Sequence, residues 1–119
     1  MVGVGQVFKG SLVVYSNEVK IKLVKVSPST LEKYGAISAE CAKEMAVNTQ
    51  QLLEVDLALS FTGNAGPTAQ ENKPVGLVYI GLAMKDNVIV KKCQFSGSRE
   101  EIRKKTVEAG VRLVKDYFR

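Results

Sequence analysis

Val55-Asp56-Leu57-Ala58-Leu59-Ser60-Phe61, running into Thr62-Gly63-Asn64-Ala65-Gly66-Pro67, decides the fold. The first part is a short, largely apolar run that reads as a buried strand. The second is a cluster of breakers that reads as a loop, continuing to Lys73-Pro74. Working outward, Ser38 caps a preceding helix with Cys41, Ala42, Met45, Ala46, Leu52 and Leu53 at helical spacing on its apolar side. Before it, Ser27-Pro28 supplies an N-cap and a proline at the first helical position of a shorter helix through Leu31 and Tyr34, which stops at Gly35. Residues 7–15 read as a strand closed by Ser16-Asn17. On the other side, residues 75–83 and 88–95 form two strands, and Lys85-Asp86-Asn87 between them signals a hairpin. Ser98 and Glu101 make a capping box for a final helix with Ile102, Thr106, Ala109, Leu113 and Tyr117 on its buried stripe. The order strand, helices, strand, strand, strand, helix predicts an α/β layer architecture with a mixed sheet.

The composition narrows the chemistry. The chain has 119 residues, 45% hydrophobic and 24% charged, which suits one soluble domain over 1–119. No apolar run approaches the roughly 18 residues of a membrane span, and the N-terminus lacks the pattern of a signal peptide, so a cytoplasmic location without membrane contact is expected. There is no histidine, which removes Ser-His-Asp and Cys-His catalysis and histidine-based zinc sites. Neither a Cys cluster nor an Asp/Glu ligand spacing is present, so no metal and no cofactor is expected. Cys41 and Cys93 read as two reduced, buried thiols. The net charge of +5 is spread along the chain without interleaved aromatic residues. It predicts a mildly basic surface rather than nucleic-acid binding.

Two stretches after strands could carry chemistry, because ligands in α/β folds bind beyond the carboxyl ends of strands. The first is Tyr15-Ser16-Asn17-Glu18-Val19-Lys20. Val19-Lys20-Ile21-Lys22-Leu23 alternates as a strand does, yet Asn17 and Glu18 suit a helix start. If a helix starts at Asn17, its N–H groups make an anion site and Tyr15, Ser16 and Lys20 can converge there. Without histidine, a lysine or tyrosine is the natural general base or acid; the plainer alternative is a capped helix with a solvated lysine. The second is Thr62 to Pro67, where Gly63 and Gly66 let backbone N–H groups turn toward a phosphate or oxyanion, and where a plain connecting loop is the alternative. Gly3-Val4-Gly5 is no dinucleotide fingerprint.

Phe8-Lys9-Gly10, Tyr15 to Lys20, Tyr34-Gly35-Ala36-Ile37-Ser38, Met45-Ala46, Thr62 to Pro67, Lys73-Pro74-Val75-Gly76, Phe95 to Arg99 and Ile102-Arg103 stand in one order over nearly the whole chain. Together they resemble the CinA C-terminal domain family, the nicotinamide mononucleotide deamidases. The resemblance implies a three-layer α/β/α sandwich with a mixed sheet, and a helix starting near Asn17. It implies hydrolysis of the carboxamide of nicotinamide mononucleotide to nicotinate mononucleotide and ammonia. Tyr15 and Lys20 match active-site positions. Ser16, Asn17, Thr62, Gly63, Ala65 and Gly66 match the substrate-binding segments. Arg99 and Arg103 match family positions too, with a place near the phosphate and a surface role both open.

The chain departs from the family at three places. Members carry, ahead of the matching part, a strand and helix with an Ala-Glu-Ser-Cys-Thr-Gly-Gly type motif whose serine is the expected nucleophile, and no such motif stands in these 119 residues. Asn64 replaces a usual aliphatic residue and Ser11 a usual glycine. Without the nucleophile the hydrolysis is expected to be impaired. The missing strand would be central, so either its flanking strands pair directly, or two chains share strands as a homo-oligomer, or the chain needs a partner piece. The alternative function is a non-catalytic nucleotide-binding or oligomeric interaction module.

Overall fold

Among the described residues, a mixed five-stranded sheet in sequential order carries one long helix on each face. The computed structural model describes residues 3–4, 12–13, 26–54, 56–64 and 73–117. The strands are β1 Gly3–Val4, β2 Leu12–Val13, β3 Ala58–Gly63, β4 Leu77–Ala83 and β5 Val88–Gln94. The helices are α1 Pro28–Tyr34, α2 Ala39–Leu53 and α3 Arg99–Tyr117. β2 and β3 pair directly and in parallel, Leu12 against Ser60 and Val13 against Phe61. The other neighbours are antiparallel. Most of the strand expected over 7–15 lies outside the described residues.

The helix starts follow from local chemistry. The Ser27 side chain accepts from Thr30 N at 3.2 Å, with Pro28 opening α1 as expected. The Glu44 carboxylate on α2 then accepts from Ser27 N at 2.8 Å and from the Thr30 hydroxyl at 2.6 Å, tying α1 to α2. Ser38 caps α2 through Cys41 N at 3.1 Å. At α3 the capping box is complete: Ser98 N donates to Glu101 Oε1 at 2.9 Å, and Glu101 N to Ser98 Oγ at 3.2 Å. Satisfying these end donors is what makes each start definite.

Strand β3 begins later than its sequence suggests. Helix α2 ends at Glu54 in the left-handed conformation (φ 52), and Gln50 Nε2 donates to Asp56 O and Met84 O, both at 3.0 Å. The chain is still turning there, so pairing starts at Ala58. At the other end, Thr62 and Gly63 are strand and not loop, paired with Tyr79 and Val78. The breakers were misleading because the partner strand extends the ladder past them. The hairpin at 85–87 forms as expected, with Met84 N donating to Asn87 O at 2.7 Å.

Alternation along β3 divides the core. Leu59 and Phe61 point to one face, where Val78, Ile80, Leu82 and Cys93 pack against Ile102 and Leu113 of α3. Burying Ile80, Leu82 and Ile102, each 1% exposed or less, contributes about 1.5–3 kcal/mol per side chain. Ala58, Ser60 and Thr62 point to the other face, where Ala58 and Ala83 pack against Ala46 of α2. Cys41, Ala42 and Met45 are buried as expected. Leu52 and Tyr117, expected on buried stripes, are about half exposed (49% and 54%). Both fall in the last turn of their helix: spacing identifies a face but not where the sheet beneath it stops. On α3, Gly110 is buried while its neighbour Ala109 is half-buried against the core.

Candidate functional site

The parallel pairing of β2 and β3 makes both strands leave the sheet at the same end. Register carries other elements there. Gly63 pairs with Val78 near the start of β4, and Leu77 pairs with Gln94 at the end of β5, so α3 starts at this end as well. The loop between α1 and α2 is held there by Thr62.

Thr62, the last buried side chain of β3, donates its hydroxyl to Ala36 O at 2.5 Å. That hydrogen is therefore committed to the α1–α2 loop. Gly63 is exposed, and a Cβ there would meet Leu77 O at 2.7 Å and Val78 at 2.8 Å, so close approach of β4 requires glycine. Asn64 is buried at 1% exposure. Its main chain donates to Leu77 O at 2.9 Å and accepts from Gly76 N at 2.6 Å, and its amide Nδ2 donates to Lys73 O at 3.3 Å. This buried polar side chain is thus satisfied inside the fold.

Arg99 and Arg103 lie one turn apart on the first half of α3, both exposed. They belong to the part of α3 that starts at the end of the sheet where Thr62 stands. Glu101 between them has its carboxyl held below the usual glutamate range, chiefly by the hydrogen bond from the Ser98 main chain. Burial pushes the Cys93 thiol up, with Lys91 opposing. Tyr15, Ser16, Asn17, Lys20, Ala65 and Gly66 lie outside the described residues. Among the described residues, no three His, Cys, Asp or Glu side chains group as for a metal ion. Among them too, no helix is long and apolar enough to cross a membrane.

Two residues at or near this end carry contacts that the sequence did not announce. Lys73 Nζ donates to Ile37 O and, at 3.4 Å, to Tyr34 O. Glu44 gathers the start of α1. The contacts of Lys73 span more than thirty residues. Its only mark in the sequence is its place in Lys73-Pro74-Val75-Gly76.

A mixed sheet between helical layers, with a parallel strand pair opening toward a loop cluster, defines an α/β/α sandwich. The chain belongs to the CinA C-terminal domain family, whose sequence profile matches residues 1–118. It is 50% identical over 109 residues to a competence-damage inducible protein of Bacillus cytotoxicus, covering 91% of this chain and 26% of that one. A competence-damage inducible protein of Thermoanaerobacter sp. (strain X514) is 49% identical over 117 residues, covering 98% and 28%. Among solved structures, a CinA superfamily protein from Enterobacter cloacae matches with a TM-score of 0.82 at 27% identity, covering 87% of this chain and 62% of that one. The competence/damage inducible protein CihA from Agrobacterium tumefaciens matches with a TM-score of 0.82 at 30% identity, covering 87% and 64%. The chain thus spans about a quarter of the length of these curated relatives.

Proposed function

We propose that the chain carries the nucleotide-binding part of a CinA-type amidohydrolase site, which acts on the carboxamide of nicotinamide mononucleotide. The observation behind this reading is the shared exit of β2 and β3. The stretch containing Tyr15 and Lys20 follows β2 in sequence, and Thr62 and Gly63 close β3. In this reading Lys20 is the base that takes a proton from the water attacking the carboxamide carbon, Tyr15 passes a proton to the ammonia that leaves, and the segment from Thr62 to Gly66 cradles phosphate or oxyanion. Because Thr62 donates its hydroxyl to Ala36, its contact with ligand would run through its main chain or its oxygen lone pairs. Arg99 and Arg103 add positive charge at the same end.

The second reading is a nucleotide-binding module without turnover, which the internal hydrogen bonds of the Thr62 and Asn64 side chains also suit. Homo-oligomerisation belongs to either reading. The deciding experiment follows ammonia release from nicotinamide mononucleotide by the purified chain, native and Lys20→Ala, with calorimetric titration of the same nucleotide. Release that vanishes in Lys20→Ala supports the amidohydrolase. Binding without release leaves the module. Absence of both overturns the two readings together.

A further inference from the structure

Four consecutive main-chain carbonyls, those of Tyr34, Gly35, Ala36 and Ile37, turn toward donors at the Thr62 end of the sheet. Tyr34 O and Ile37 O accept from the Lys73 ammonium. Gly35 O accepts from the Ser38 hydroxyl at 2.8 Å, and Ala36 O from the Thr62 hydroxyl at 2.5 Å. Tyr34 is the last residue of α1, where carbonyls lack helical partners and the helix dipole favours a cation. An ammonium offers three donors and no acceptor, which suits a curved row of carbonyl oxygens. Lys73 is held at its main chain as well, where its carbonyl accepts from the buried Asn64 amide. The side chain is half-buried, and its bond to Ile37 O forms with water partly excluded, while the longer one to Tyr34 O is exposed.

We propose that Lys73 is a positioning residue for this site. Its ammonium acts as a resident cation in a carbonyl cradle and fixes the Tyr34–Ser38 loop against the end of β3. Thr62 and Lys73 grip neighbouring carbonyls of that one loop. Losing the lysine therefore loosens the partner that orients Thr62. Two of the recurrent sequence motifs, Tyr34-Gly35-Ala36-Ile37-Ser38 and Lys73-Pro74-Val75-Gly76, are then the two halves of one device. The consequence for ligand binding rests on the nucleotide-site reading above; the cradle itself does not.

The test has a part without mutation. Trace acetylation of the native chain, read by mass spectrometry, should label Lys73 about tenfold more slowly than the exposed Lys85, because the amine must first leave its carbonyl partners. Labelling at the Lys85 rate overturns the cradle. In Lys73→Met, the melting temperature should fall and affinity for nicotinamide mononucleotide should drop about tenfold or more. Ammonium chloride should restore both, and tetramethylammonium chloride at equal ionic strength should not. A Lys73→Met chain that melts and binds like the native one, or that responds alike to the two salts, overturns the proposal. If the native chain binds no nucleotide, the functional reading fails, while labelling and the salt-selective melting still decide the role of Lys73. If Lys73→Met does not fold, the labelling of the native chain decides.

Discussion

The two faces of the sheet are built from opposite materials. Toward α3 the strands present Leu59, Phe61, Val78, Ile80 and Leu82, and the layers are kept apart by bulky side chains. Toward α2 they present Ala58, Ser60, Gly81 and Ala83, and the helix backbone comes down onto the strands. Ser60 Oγ donates to Ala42 O at 2.6 Å, and a Cβ on Gly81 would lie 2.5 Å from that same oxygen. The α3 face gains its stability from apolar volume; the α2 face gains position. That distinction matters because α2, together with α1, holds the loop that Thr62 and Lys73 grip.

The sharpest way to break this contrast is to remove volume from the bulky face. Ile80→Ala should cost about 4 kcal/mol in urea unfolding, since the side chain is fully buried among aliphatic neighbours. A loss under about 1 kcal/mol would mean that this face does not depend on volume. Adding volume to the close face comes next. Gly81→Ala should cost about 3 kcal/mol, because the added methyl meets backbone that cannot swing aside. The same change across the sheet, Gly110→Ala, should cost about 1 kcal/mol or less. There the methyl meets the tip of the Phe61 ring at 2.7 Å, which can turn, and alanine favours helix. If Gly110→Ala proves the more damaging of the two, the assignment of tight and loose faces is reversed.

The smallest effect concerns how α3 is anchored. Its start depends on an exposed, titratable cap, whereas α2 is fastened by the Ser38 hydroxyl. Glu101 has a depressed carboxyl pKa in the folded chain. Its contribution is complete above the pKa of an unfolded-chain glutamate and is lost as pH falls through the lower folded value. Glu101→Gln should flatten that acid limb of the stability curve and lower the neutral and alkaline limbs by a constant amount without changing their slope, as followed by thermal melts at a series of pH values.

Features encoded within a few residues were legible from sequence. The caps at Ser27, Ser38 and Ser98, the proline at Pro28 and the hairpin at 85–87 each satisfy their own backbone locally. Features set by a distant partner were not. Thr62 and Gly63 read as loop residues, and only the register with Tyr79 and Val78 makes them strand. Leu52 and Tyr117 keep helical spacing beyond the sheet that would cover them. The same limit governs the site. Thr62 and Gly63 were singled out through a motif, and the geometry adds the commitment of the Thr62 hydroxyl. Lys73 looked like part of a loop because its partners lie on another element.

The two thiols acquire a use from their placement. Cys41 is buried in α2 on one side of the sheet, and Cys93 faces the α3 core on the other. The sheet stands between them, so they cannot meet in the native chain, and burial disfavours the thiolate of Cys93. Each sulfur is therefore silent until its own layer parts from the strands. Alkylation at Cys41 clocks separation of the α2 layer, and alkylation at Cys93 clocks separation of the α3 layer. The chain comes with a stopwatch on either side, and comparing the two rates tells which layer lifts first.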